Sequence, residues 1–140
     1  MGEATIYVAA LLFGPFVGAF SGGVGAGLAD IYLGYGLFEP GTLVIKGVEG
    51  AIVGFLNSKL KKYIPNPTAR ATISVIVGGL EMVAGYFLYE TLLAALFPGL
   101  EIFAIAEIPL NVGQMLVGLI IAVPIMHAVL RIFPQLKSQI

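Results

Sequence analysis

No charged residue occurs between Ala4 and Ala29, and a helix through that stretch would run about 39 Å, longer than the roughly 30 Å hydrocarbon core of a bilayer. The rest of the chain follows the same composition. Of 140 residues, 59% are hydrophobic and 11% are charged, where a soluble domain carries roughly a quarter charged residues, and the mean hydropathy is +1.00. With so little polar material to cover a surface, the outside of the fold must be apolar, and its solvent is lipid. About 20 apolar residues are needed per helical crossing, so the chain holds at most about five or six crossings as a single transmembrane domain over residues 1–140.

Missing residue types narrow the chemistry. Zero cysteines exclude disulfides, iron–sulfur clusters and thiolate zinc sites, and one histidine makes an imidazole-built metal or catalytic centre unexpected; no cofactor is implied. Seven basic residues balance eight acidic ones, which argues against nucleic acid. Neither GxxxxGK[ST] nor GxGxxG spacing is present; the cluster Gly22-Gly23-Val24-Gly25-Ala26-Gly27 does not meet it. Any energy source must therefore lie elsewhere. Glu3 stands where a cleavable signal peptide would carry lysine or arginine, so the start is not read as one.

Glycine and proline divide the chain. Gly14-Pro15 interrupts the first uncharged stretch, predicting helices over about 3–13 and 15–32. A turn-rich loop from Gly34 to Gly41 leads to a helix over about 41–60, and Lys59, Lys61, Lys62, Pro65, Pro67 and Arg70 form a basic, proline-broken linker. An apolar stretch over about 69–96 ends before Phe97-Pro98-Gly99. After a loop carrying Glu101 and Glu107, Pro109 suits the first turn of a last helix over about 108–133, closed by Pro134 and Lys137. Alternating spans bring six of the seven basic residues to one side, which the positive-inside rule makes cytoplasmic, together with the C-terminus. The other side receives Glu3, Glu39, Glu101 and Glu107. Five segments then start outside, an arrangement that suggests a preceding helix absent from this sequence.

Each ionisable group inside a membrane helix costs a few kcal/mol and asks for a partner or a purpose. Counted from the outer ends, Lys46 and Glu49 lie about 8 and 12 Å deep, and Asn111 and Gln114 about 5 and 9 Å deep. Asp30 and Glu81 lie about 20 and 18 Å up from the other end. All six share the outer half, as a polar cavity closed below by apolar residues would require. Alternatives stand beside that reading. Lys46 and Glu49, three apart, can neutralise each other, and Lys46 can snorkel. Glu81, Gly85 and Tyr89 share a helix face but also suit packing, Asn111 and Gln114 can bond only to other helices, and Asp30 can be a solvated terminus. His127 lies near the cytoplasmic interface. Gly14-xxx-Gly18-xxx-Gly22, Gly23-xxx-Gly27 and Gly50-xxx-Gly54 form small-residue ridges, for packing within the bundle or for docking another membrane protein.

The run from Gly2 to Ala19, then Leu28-Ala29-Asp30, Ile45-Lys46-Gly47-Val48-Glu49-Gly50 and Asn111-Val112-Gly113-Gln114-Met115-Leu116-Val117-Gly118 with Phe133-Pro134, resembles the S components of energy-coupling factor (ECF) vitamin transporters. The riboflavin and thiamine-precursor branch is the nearest in appearance. That resemblance implies an all-α membrane protein that binds a vitamin from outside and docks on a transmembrane coupling subunit driven by two ATPase subunits, without catalysis of its own. It implies ligand contacts at Glu49 and Asn111, and less directly at Glu81 and Gly85. The family has six helices, and this chain resembles that fold without its first helix, as a bundle of five transmembrane segments. The expected ligand set is Asp30, Lys46, Glu49, Glu81, Gly85, Tyr89, Asn111 and Gln114. A small homo-oligomeric channel or ion-coupled transporter is the alternative, and a structural membrane protein would leave Glu49 and Glu81 unexplained.

Overall fold

Gly14 holds φ at 91°, a backbone region open to glycine and strained for any residue with a Cβ, and Pro15 follows at the first position of a new helix, where its missing N–H goes unmissed. The computed structural model describes residues 2–34, 39–99 and 104–138, with α1 over Gly2–Phe13 and α2 over Pro15–Phe20. The helix expected over 15–32 is not uniform. Ser21–Gly25 widens into one π-helical turn before α3, Ala26–Tyr32. Then come α4 (Glu39–Leu60), α5 (Pro67–Leu96), α6 (Ala104–Ile132) and a closing 3₁₀ turn over Pro134–Ser138. Every regular element among the described residues is helical, as the composition requires. Most of the expected loop between Gly34 and Gly41, and Glu101, lie outside the described residues.

Two boundaries differ from expectation. The Asn66 side chain caps α5 by accepting hydrogen bonds from the backbone N–H groups of Thr68 (2.9 Å) and Ala69 (3.3 Å), and Pro67 takes the first helical position. Arg70 therefore belongs to the first turn of α5, only 4% exposed, and not to a solvated linker. At the other junction α6 starts at Ala104, so Pro109 lies inside the helix and not in its first turn, and Pro124 lies inside as well.

Among the described residues, α5 and α6 are each long and apolar enough to cross a bilayer. α4 packs between α2 and α5, and α6 packs between α1 and α5. Tyr7 and Leu11 from α1, Val53 from α4, Val75 and Met82 from α5 and Met126 from α6 make the buried centre. The perimeter is apolar: Phe16, Ile105 and Ile120 are 90%, 76% and 71% exposed, as expected of side chains that face acyl chains. The glycine ridges are spent inside this bundle. A Cβ at Gly22 would fall on the Lys46 carbonyl oxygen, so only glycine lets the backbones approach this closely; Gly18 meets Gly50 in the same way.

Candidate functional site

Lys46 points inward from α4 and is 5% exposed. Its Nζ pairs with the Glu3 carboxylate of α1, lies 3.5 Å from Glu49 Oε2, touches the Met82 sulfur and sits 5.6 Å from the centroid of the Tyr86 ring. A buried ammonium is tolerable only with such partners, and here two carboxylates share it. Glu49, fully buried, also accepts a 2.7 Å hydrogen bond from the Tyr7 hydroxyl. One α1 face, through Glu3 and Tyr7 four residues apart, thus closes over the polar stretch of α4.

A cavity of about 580 Å³ opens beside this network, lined by Glu3, Phe20, Asp30, Thr42, Lys46, Tyr86 and Gln114, with Ser21, Val24 and Gly25 contributed by the π turn. π turns are rare and recur at functional sites because they displace the helix wall locally. A second space of about 440 Å³ shares Asp30, Thr42, Tyr86 and Gln114 and adds Glu90, Glu107 and Asn111. Both lie at the end of the bundle where α1 and α6 begin and α3 and α5 finish. Thr42 joins its walls: its hydroxyl donates to Asp30 Oδ2 at 2.5 Å and lies 2.9 Å from the Tyr86 hydroxyl. Because the single Thr42 hydrogen goes to Asp30, Tyr86 is the donor to Thr42. Among the described residues, Glu3 Oε2 and Glu90 Oε2 are buried without hydrogen-bond partners, although both residues line these spaces. Unpaired buried acceptors of this kind suit a solute that brings N–H or O–H donors.

The expected ligand set divides here. Asp30, Lys46, Asn111 and Gln114 come together on the cavity walls. Glu49 sits behind Lys46 and Tyr7, and the ion pair with Lys46 that its spacing allowed is present. Lys46 does not snorkel. Glu81, Gly85 and Tyr89 are not among the lining residues: Gly85 backs onto Ile45, with Glu81 beside it, and the Tyr89 ring covers Gly41. α5 presents Tyr86 and Glu90 to the cavity instead, one residue further along, with Met82 on the same face. The residues that the sequence reading passed over are Glu3, Tyr7, Thr42, Tyr86 and Glu90. A signal existed for some of them, since Thr42 and Lys46 lie four apart, as do Glu3 and Tyr7 and also Tyr86 and Glu90.

Comparison with known proteins identifies a family. Residues 1–131 match the family model described as ECF-type riboflavin transporter, S component. The chain is 40% identical over 120 residues to the "uncharacterized protein in gap 3′ region" of Pyrococcus woesei, covering 86% of this chain and 74% of that one. It is 30% identical over 120 residues to the thiamine precursor transporter HmpT of Lactococcus lactis subsp. cremoris (strain MG1363), covering 86% of this chain and 62% of that protein. No solved structure matches at a significant level.

Proposed function

The chain belongs to the S components of ECF-type riboflavin transporters, membrane transport subunits and not enzymes, and from that premise we propose that it captures a small water-soluble vitamin in the cavity walled by Asp30, Thr42, Lys46, Tyr86 and Gln114. Riboflavin, from the family, and a thiamine precursor, from the HmpT relative, are the two ligand candidates. The observation that carries the reading is the cavity's chemistry. Aromatic rings of Phe20 and Tyr86 face carboxylate, amide and hydroxyl groups, and on the cavity walls the buried carboxylate oxygens Glu3 Oε2 and Glu90 Oε2 have no hydrogen-bond partner among the described residues. A flat heteroaromatic ring with N–H and O–H donors meets both demands. Asp30, Asn111 and Gln114 take the ligand directly in this reading, while Glu49 acts as a positioning residue through Lys46 and Tyr7.

Five passes with a cytoplasmic C-terminus turn the cavity to the outside, supported by the six basic residues gathered at the opposite end. Release inward then requires energy, and no phosphate-binding loop is present in the sequence. A transmembrane coupling subunit with two ATPases supplies it. Cells expressing the chain should accumulate labelled riboflavin or a labelled thiamine precursor against a gradient only when those partners are co-expressed, whereas the purified chain alone should bind one of the two. Accumulation that is equal with and without partners would overturn the reading in favour of an ion-coupled transporter, with Asp30, Glu49 and Glu81 as coupling groups.

A further inference from the structure

At the end of the bundle away from the vitamin cavity, a second cleft of about 520 Å³ is lined by Lys61, Arg70, His127, Arg131 and Lys137 between two prolines, Pro65 and Pro67. No Asp or Glu lines it. Topological sorting of positive charge asks only that lysine and arginine lie near a membrane end, not that they converge on a concavity. Convergence here is built. The Arg70 guanidinium is held by Asn57 Oδ1 (3.2 Å from Nε) and the Ile64 carbonyl (3.0 Å from Nη1), and Asn57 in turn donates to the Leu11 carbonyl at 3.2 Å. Thr68 and His127 face each other at 2.7 Å across the mouth between α5 and α6. A buried, oriented guanidinium with a second arginine and two lysines nearby is the donor set that phosphate oxygens take.

We infer that this cleft binds the phosphodiester headgroup of an anionic membrane lipid. Depth favours a lipid over a soluble anion. α5 and α6 are about 45 and 43 Å long, so their ends overrun a hydrocarbon core of roughly 30 Å and place Arg70 and Arg131 at headgroup level. Directly beside Arg131, Ile132 and Phe133 are 70% and 49% exposed, and offer apolar surface to acyl chains that a free phosphate lacks. This holds whichever end faces the cytoplasm, so it does not rest on the vitamin reading.

The test uses the purified full chain in detergent, with mixed micelles of phosphatidylglycerol or phosphatidylcholine and, separately, inorganic phosphate. Retained lipid is counted by native mass spectrometry. Phosphatidylglycerol should be retained in preference to phosphatidylcholine. The double variant Arg131→Gln/Lys137→Gln should bind it at least about tenfold more weakly than Lys59→Gln/Lys62→Gln, which removes equal charge outside the cleft. Equal losses in the two doubles would reduce the effect to a diffuse surface field and overturn the site. Inorganic phosphate displacing the lipid and stabilising the chain as strongly would overturn the lipid assignment. Binding of whichever of riboflavin and a thiamine precursor the chain takes, measured on the same samples, should not change in the cleft variants, so a missing lipid preference with intact vitamin binding sinks this proposal alone.

Discussion

Lys46 holds two carboxylates, and the dependence is asymmetric: the ammonium can lose one partner and keep another, but Glu3 and Glu49 both rely on the one cation. Lys46→Met leaves two buried carboxylates facing each other's charge, and removal of one member of a buried pair costs about 3–5 kcal/mol. Glu49→Gln retains an oxygen for the Tyr7 hydroxyl and leaves the Lys46–Glu3 pair intact, so about 1–3 kcal/mol is expected. Unfolding of the detergent-solubilised variants, followed by circular dichroism, ranks the two. A larger loss for Glu49→Gln would mean that Glu49, not Lys46, organises the network. Vitamin binding should fall in both, because the cavity wall that Lys46 forms moves with either change.

At the level of the helices, the tight seam is between the α2 and π segment and α4. Gly22→Ala places a methyl group on the Lys46 carbonyl oxygen and forces the two backbones apart, for a destabilisation of about 1–3 kcal/mol. Gly25→Ala, with open space around its added Cβ, should be near neutral. The difference in thermal midpoint between these two alanine variants checks the seam, and equal midpoints would remove it. The helix limit at Gly14-Pro15 was legible in the sequence, whereas at Asn66-Pro67, the start of α5, the surrounding basic residues outweigh the cap and read as linker. Faces were less legible. α5 carries polar groups on two neighbouring stripes, Glu81–Tyr89 and Tyr86–Glu90, and nothing within one helix says which stripe its neighbours cover. The Glu3–Lys46 pair joins residues far apart in the chain, with no local pattern to announce it. Asp30, Lys46, Asn111 and Gln114 could be singled out in the sequence, and the structure places them on the cavity walls, because polar residues in apolar helices are few.

The whole molecule is polarised. One end gathers Glu3, Asp30, Glu90 and Glu107 around a cavity, and the other gathers lysines and arginines around a cleft. Such a gradient of charge along the helix axes both orients the bundle on insertion and gives its two faces opposite tastes in solutes. Tyr63→Cys, from the exposed turn after α4, and Gly99→Cys, beyond the end of α5, should react with a membrane-impermeant maleimide from opposite sides of intact cells, Tyr63→Cys from within. Labelling of both from the same side would break the alternation of spans on which the proposed outward orientation of the cavity depends.

The π turn at Ser21–Gly25 has a consequence for chain length. A single π turn takes up one residue more than the α-helical path it replaces, so the segments before and after it keep the faces they would have had without the extra residue. If the same residues wound as regular α-helix, everything from Ala26 onward would swing by about 100° and Asp30 would leave Thr42. Loss of one residue within this turn, a change that elsewhere in a helix scrambles every downstream contact, would here straighten the wall and leave the register of Asp30 intact.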